Sequence, residues 1–330
     1  LPLLIALLWL LFYCCLYSGC IKQKLFFCNA MDIQQIRPAL MAWYEKNSRS
    51  LPWRSLHPDP YHVLVSECML QQTQVSRVQQ KFPEFLAEFP DIKSLAEADN
   101  ARIIRAWQGM GYNNRALRLR DCARHIVDRH QGAMPMEYDE LLALPGIGPY
   151  TAAAILAFAA GRDIAVVDVN IERVYSRLYQ PMETTASRLP KNILMDIANT
   201  IYPPGSASAW HQAVMDLGAQ ICTAHDPECK ACPLAIYCAS ANTMLPEKKS
   251  ARPEPSYKNI PRRIWRGRCV QALRDVPEHG IPAEQLGSIM FGKDMNHYDL
   301  EWLNEHIVPA LIKDKIAEYA ENGSVRLCKD

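Results

Sequence analysis

Four cysteines within seventeen residues, Cys222, Cys229, Cys232 and Cys238, constrain this chain more than any other feature of its sequence. Free thiols are usually scattered, buried and inert. Four of them at C-x6-C-x2-C-x5-C, with Pro233 behind the third and a helix-like run ahead, point instead to one inorganic centre. Zinc sites draw their thiolates as two close pairs separated by a longer spacer, and here only Cys229 and Cys232 make such a pair. The uneven spacing favours a [4Fe-4S] cluster, which is held by a full set of cysteine thiolates. The remaining cysteines (Cys14, Cys15, Cys20, Cys28, Cys68, Cys122, Cys269, Cys328) have no metal-site spacing. A cluster-bearing chain belongs in a reducing compartment, so no disulfides are expected and the cytoplasm is its natural home.

With 330 residues, 49% hydrophobic and 22% charged, the chain can bury a sizeable core in more than one domain, which excludes a disordered or fibrous protein. A net charge of +1 gives no global sign of a nucleic-acid partner, so local charge must carry that argument. Leu1 to Cys20 is uncharged and mostly apolar, long enough to span a membrane if helical. Read literally it is an anchor or secretory signal, and Lys22 and Lys24 would then keep the following domain cytoplasmic. There is no methionine at position 1 and no basic residue ahead of the apolar run, and Met31 directly precedes an ordinary amphipathic segment. Residues 1–30 are therefore read as a non-native extension and set aside; without them no membrane partner is expected.

From Met31 to about Ser240 the periodicity is helical. Ile36, Leu40 and Trp43 recur at three- and four-residue steps, as do Val75, Val78, Phe82, Phe85, Leu86 and Phe89, and then Leu119, Ala123, Ile126 and Val127. Pro and Gly punctuate short helices at Pro52, Pro60, Pro90, Gly109, Gly111, Gly132, Pro145, Gly161 and Pro203. The expected organisation is an all-α core over 31–221 in two lobes, with a helical hairpin near 139–160 and the cysteine loop at 222–238. A basic linker follows at 245–263. In and just beyond it, Lys248, Lys249, Arg252, Lys258, Arg262, Arg263, Arg266 and Arg268 face only Glu247 and Glu254, and the run reads either as a solvated tether or as a strap along a phosphate backbone. Three further helices are expected over 264–273, 283–291 and 300–312. A hairpin about Asn322-Gly323 follows, so residues 264–330 read as a winged-helix-like α+β module serving nucleic-acid or protein contacts.

Leu144-Pro145-Gly146-Ile147-Gly148-Pro149-Tyr150-Thr151 joins a short helix to a strongly apolar one. Its glycines allow a tight turn and close approach, and the amides at the new helix start can face an anion such as a DNA phosphate. By itself such a loop is more often a turn. Asp168 ends an apolar run, where a carboxylate is commonly an N-cap. Glu67 sits in Val63-Leu64-Val65-Ser66-Glu67-Cys68-Met69-Leu70. If buried there its pKa would rise, leaving a proton to donate near neutral pH; if half-exposed it would be an ordinary helix residue.

Taken together these segments resemble a known family. Leu144 to Thr151 with Asp168 is similar to the helix-hairpin-helix signature of the DNA glycosylase superfamily, and the cysteine spacing is similar to its iron-sulfur branch. Leu51-Pro52-Trp53-Arg54, Ser66 to Val75 and Trp107-Gln108-Gly109-Met110-Gly111-Tyr112 resemble the MutY family of adenine DNA glycosylases, over about Met31 to Ser240. The resemblance implies an all-α helix-hairpin-helix core with a [4Fe-4S] loop. It makes Glu67 the general acid for the leaving adenine, Asp168 the carboxylate that stabilises charge at the anomeric carbon, and Asn170 the residue that orients that carboxylate or the sugar. Such a division matches glycoside hydrolysis, where an acid and a carboxylate flank an oxocarbenium-like centre. Because the base lies inside a duplex it must be extruded. Gln71, Gln72 and Tyr112 match positions that probe or wedge into the stack, and Arg54, Gly146, Gly148 and Thr151 match DNA-contacting ones. The strand-cleaving endonuclease III relatives carry a lysine where this chain has Tyr150, and a phenol cannot form the Schiff base. A monofunctional, monomeric enzyme acting on double-stranded DNA with a mispaired adenine is expected, with no small-molecule cofactor beyond the cluster.

Residues 250–330 do not resemble the Nudix-like domain that reads 8-oxoguanine in longer family members, so the chain looks like a short form. A thymine or uracil mismatch glycosylase on the same scaffold and a catalytically silent DNA-binding cluster protein are the competing readings. Gln71-Gln72-Thr73-Gln74 weighs against the first, and the presence of both Glu67 and Asp168 weighs against the second.

Overall fold

Short apolar runs closed by caps and prolines give short helices, and the computed structural model, which describes residues 30–55, 58–246 and 254–329, is built almost wholly from them. The apolar extension and the charged residues 247–253 lie outside the described residues. Among the described residues no helix is long and apolar enough to cross a membrane. The chain divides into two units that do not follow chain order: residues 51–160 with 254–329, and residues 30–50 with 161–246.

In the first unit, α1 (Pro60–Leu70) starts where Asp59 accepts the Tyr61 N–H at 2.7 Å and Pro60 presets the first turn. The helix is apolar all round and accordingly buried, with Val65 and Met69 wholly enclosed. α2 (Val75–Glu88) is instead amphipathic and buries Val78, Phe82 and Phe85. Next come α3 (Ile92–Glu97), α4 (Asn100–Ala106), α5 (Asn114–His130), α6 (Tyr138–Leu142) and α7 (Pro149–Phe158). The alanine-rich α7 lies against α1, and small side chains on that face permit the approach.

The C-terminal segment packs into the same unit. The order is α8 (Arg262–Arg274), α9 (Ala283–Phe291), α10 (His297–Trp302), α11 (Val308–Lys313) and an antiparallel hairpin of Ala317–Tyr319 with Val325–Leu327. Ile281 also bridges Val325, extending the hairpin by one edge. The stretch read from sequence as linker contains a small hairpin, Ser256–Tyr257 with Ile260–Pro261, whose Tyr257 stacks on Trp302 at 4.2 Å. The single helix expected over 300–312 is instead broken by a π turn, Leu303–Ile307. Pro309 has no N–H to close an α turn there, so the ladder widens. Buried Asn100 anchors the module to α4: its N–H donates to Lys329 O at 3.0 Å and its side-chain amide to Lys315 O at 3.2 Å.

The second unit contains α12 (Ala30–Asn47), α13 (Val169–Tyr179), α14 (Lys191–Thr200) and α15 (Ala207–Gln220), followed by two 3-10 turns, Cys229–Ala231 and Ala235–Tyr237. Ile36 and Leu40 of α12 are buried, and Arg37 caps the end of α14 by donating to Thr200 O and Ile201 O. Arg49 pairs with the fully buried Asp216 of α15 at 2.7 Å through Nε and adds a backbone N–H at 2.9 Å. Removing either partner of such a pair would leave an uncompensated buried charge. His211 is enclosed and burial depresses its pKa to about 4, so it is neutral, with Nε2 accepting the Val166 N–H at 3.3 Å.

Candidate active site and cysteine loop

Glu67 lies on α1, 7% exposed, in the same stretch as Val63, Leu64, Val65 and Met69. The following residue, Cys68, lines a cavity of about 40 Å³ with Gly146 and Thr151, so α1 meets the connection between α6 and α7 there. In that connection Gly146 has φ +80°, a conformation closed to most side chains, and a Cβ there would meet Arg118 at 3.3 Å. Gly148 occupies the N-cap of α7, Pro149 follows, Tyr150 is half-buried in the first turn and Thr151 is buried. The amides of this first turn are the helix-start donors that the sequence pattern anticipates.

Two turns of the same unit carry the expected probing residues. Gln72 at φ 58° and Tyr112 at φ 45° both hold left-handed backbone without being glycine, and both side chains are exposed, Tyr112 at 58%. Buried Arg115 pins the two turns together. It donates to Cys68 O, Met69 O and Gln71 O on one side and to Met110 O and Gly111 O on the other, and its guanidinium lies over the Tyr112 ring at 5.6 Å. Strained residues held by a dedicated clamp are characteristic of functional surfaces. Gln71 is exposed beside Gln72, whereas Arg54 is half-buried at the end of the Leu51–Arg54 turn.

In the second unit Asp168 caps α13, as its position at the end of an apolar run anticipates. Its Oδ1 accepts the Asn170 and Ile171 N–H groups at 3.0 and 2.7 Å, and its Oδ2 accepts Asn170 Nδ2 at 2.7 Å. Burial raises the Asp168 pKa above the usual carboxylate value, opposed by these hydrogen bonds and by Arg173. Asn170 is fixed in turn, because its Oδ1 accepts from Arg173 Nη2 at 2.8 Å. Arg173 also donates to Gly218 O and, through Nε, to Cys222 O, both at 2.7 Å. One turn further on, Arg177 donates to Thr223 O at 2.7 Å and approaches Cys222 Sγ at 3.3 Å. Helix α13 therefore carries Asp168 at its start and two buried arginines that clasp the chain entering the cysteine loop.

Cys222, Cys229, Cys232 and Cys238 surround one small apolar pocket together with Arg177, Ala235 and Met244. Among the described residues no group of three or more His, Cys, Asp or Glu is placed to hold a metal ion. The four thiols around this pocket nevertheless supply the full cysteine donor set that an iron-sulfur cluster or a structural zinc takes. The arginine near Cys222 Sγ supplies the hydrogen bonding and positive charge that thiolate clusters favour.

Sequence reasoning overlooked Arg115, Arg173, Arg177 and Gly218. A basic residue on a helix reads as a solvated one, and the signal that was available is spacing: residues 170, 173 and 177 share one face of α13 with the start of the helix.

The family description "HhH-GPD superfamily base excision DNA repair protein" matches residues 65–198. A protein named adenine DNA glycosylase from Mycolicibacterium smegmatis is 37% identical over 238 residues, covering 72% of this chain and 79% of that one. One of the same name from Homo sapiens is 34% identical, covering 67% of this chain and 42% of that one. Among solved structures, a thermostable thymine-DNA glycosylase superposes with a TM-score of 0.57 at 26% identity, covering 63% of this chain and 95% of its own. Endonuclease III in a non-covalent DNA complex superposes with 0.54 at 23% identity, covering 63% and 96%, and shares the fold. On this similarity the chain belongs to the MutY family of adenine DNA glycosylases, within the HhH-GPD superfamily of base excision repair proteins.

Proposed function

We propose that this base excision repair glycosylase releases adenine mispaired with 8-oxoguanine or guanine in duplex DNA and leaves an abasic site without cutting the strand. In this reading Glu67 protonates the departing adenine, and ionised Asp168 supports the positive charge that develops at the anomeric carbon before water adds. Asn170 orients the carboxylate. The observation that carries the reading is the setting of Asp168, with one oxygen fixed by two helix-start amides and the other by Asn170. A group so held needs little reorganisation when charge appears beside it. Monofunctionality rests on Tyr150, which stands where a lysine would be needed to form a Schiff base.

Cys222, Cys229, Cys232 and Cys238 are the proposed ligands of a [4Fe-4S] cluster, whose contribution when bound is to cross-link the 222–238 loop. The compartment proposed is the reducing cytoplasm, with the enzyme acting as a monomer.

Likeness to a thymine-DNA glycosylase fold keeps pyrimidine mispairs as a second reading. A single-turnover assay separates the two, using duplexes with adenine opposite 8-oxoguanine, guanine or thymine, and with thymine or uracil opposite guanine, developed with and without alkali. Adenine release with breaks appearing only after alkali supports the proposal. Release of thymine or uracil instead moves the protein to the pyrimidine reading, and breaks without alkali overturn monofunctionality.

A further inference from the structure

Beside the two strained turns lies an open groove of about 770 Å³, all within the first unit. One wall is the glycosylase core, with Gln72 and Tyr112 on their turns and Arg118 on α5. The facing wall is α8 of the C-terminal module. Among the described residues five arginines line the groove and no carboxylate does. Three of them are already engaged: Arg115 in its turn clamp, Arg263 with Glu254 at 2.9 Å and Arg266 with Asp314 at 2.5 Å. Arg118 and Arg268, one on each wall, are exposed and have no ion pair among the described residues. The Arg268 guanidinium rests on the Trp265 ring at 4.7 Å, which orders the side chain without neutralising it.

The wall is fixed in place by hydrogen bonds. Arg274 at the end of α8 donates to Ile104 O at 3.1 Å and reaches Asn113 Oδ1 at 3.4 Å, and Gln271 accepts from Gln108 Nε2 at 3.2 Å. A helix docked this way, with Arg268 lining the same groove as Gln72 and Tyr112, is placed to act on whatever those turns touch. The charge favours an anion, and an open groove of about 770 Å³ suits a polymer backbone more than a small ligand.

We propose that the C-terminal module is one wall of the duplex-binding site, with Arg268 on α8 and Arg118 on α5 each neutralising a backbone phosphate of the same bound DNA. This rests on the glycosylase reading above and extends it, since the module then becomes part of the surface that grips the duplex around the probed base pair. Phosphate contacts release counterions, so each one adds about 0.9 to the slope of log affinity against log salt concentration.

The test uses the full chain and a duplex carrying 2′-fluoro-2′-deoxyadenosine opposite guanine, whose fluorine disfavours the oxocarbenium-like state and so preserves the substrate during binding. Arg118→Gln and Arg268→Gln are each expected to lower the salt slope by about 0.9. Arg268→Lys, which retains the charge, is expected to restore it. A slope that falls for neither variant, or for one wall only, overturns the proposal. Failure of Arg268→Lys to restore the slope overturns it too, because the stacking on Trp265 would then have been measured instead of the charge. Adenine release from the unmodified duplex is followed in parallel: its absence would defeat the catalytic reading while leaving the slopes to decide the groove.

Discussion

Arg173 joins the candidate catalytic carboxylate to the cysteine loop, donating to Asn170 Oδ1 at 2.8 Å and to Cys222 O at 2.7 Å. It is 6% exposed, and burial lowers its pKa without depriving it of charge. Arg173→Gln would leave buried acceptors unpaired, at a cost of about 2–4 kcal/mol. The expected outcome is a lower Tm together with slower single-turnover excision and less iron per chain. Loss of stability with excision and iron unchanged would show that the strut is structural alone.

Gly218 of α15 faces the same link. A Cβ at this position would lie 2.8 Å from Asn170 Cβ and 3.3 Å from Val174 Cγ2. Alanine gains about 1 kcal/mol of helix propensity over glycine, whereas overpacking costs about 1–3 kcal/mol. Gly218→Ala should therefore be mildly destabilising in thermal unfolding. Its excision rate should fall further than its stability explains, because the displaced group is the one that holds Asp168 Oδ2.

For Asp168 the pH dependence has a definite sign. Burial raises its folded pKa above the unfolded value of about 3.9, so the folded chain binds the extra proton and ionisation opposes folding above that window. Asparagine caps helices as well as aspartate does. Asp168→Asn removes the buried charge but sets its own Nδ2 against Asn170 Nδ2; with burial the larger effect, the Tm at pH 7 should be unchanged or higher, while excision falls by at least about 10²-fold. In the native enzyme, excision should decline as pH drops through the raised pKa. A lower Tm for the variant at pH 7 would mean that the hydrogen bonds outweigh burial.

Glu67→Gln keeps shape and removes the transferable proton. Excision should slow by about 10²- to 10⁴-fold with duplex affinity largely retained. Filter-binding and single-turnover measurements on one preparation check both halves; full activity would remove Glu67 from the mechanism.

Cys229→Ser should abolish the visible absorbance expected of iron-bound thiolates and reduce soluble yield. Stoichiometric zinc in a colourless native protein would refute the cluster.

Much of this was legible along the chain because the information is local. The cysteine spacing, the Gly146 and Gly148 turn, the cap at Asp168 and the helices of the C-terminal module all depend on residues within a turn or two of one another. The break at Leu303–Ile307 went unseen although Pro309 lies within the expected 300–312 helix, because the apolar periodicity on either side continues through it.

What the sequence by itself determined is the list of chemical groups and the helices that carry them. Tertiary structure alone decided that Arg173 and Arg177 turn inward to hold the cysteine loop, that Arg115 locks two distant turns in strained geometry, and that Arg268 and Arg118 line one groove. It also decided that residues 254–329 pack with 51–160, while residues 30–50 pack with 161–246. The physical reason is that a cation or an amide has no preferred partner in the local code. Its role is settled by which carbonyls the folded chain leaves unpaired beside it, and burial makes that pairing obligatory.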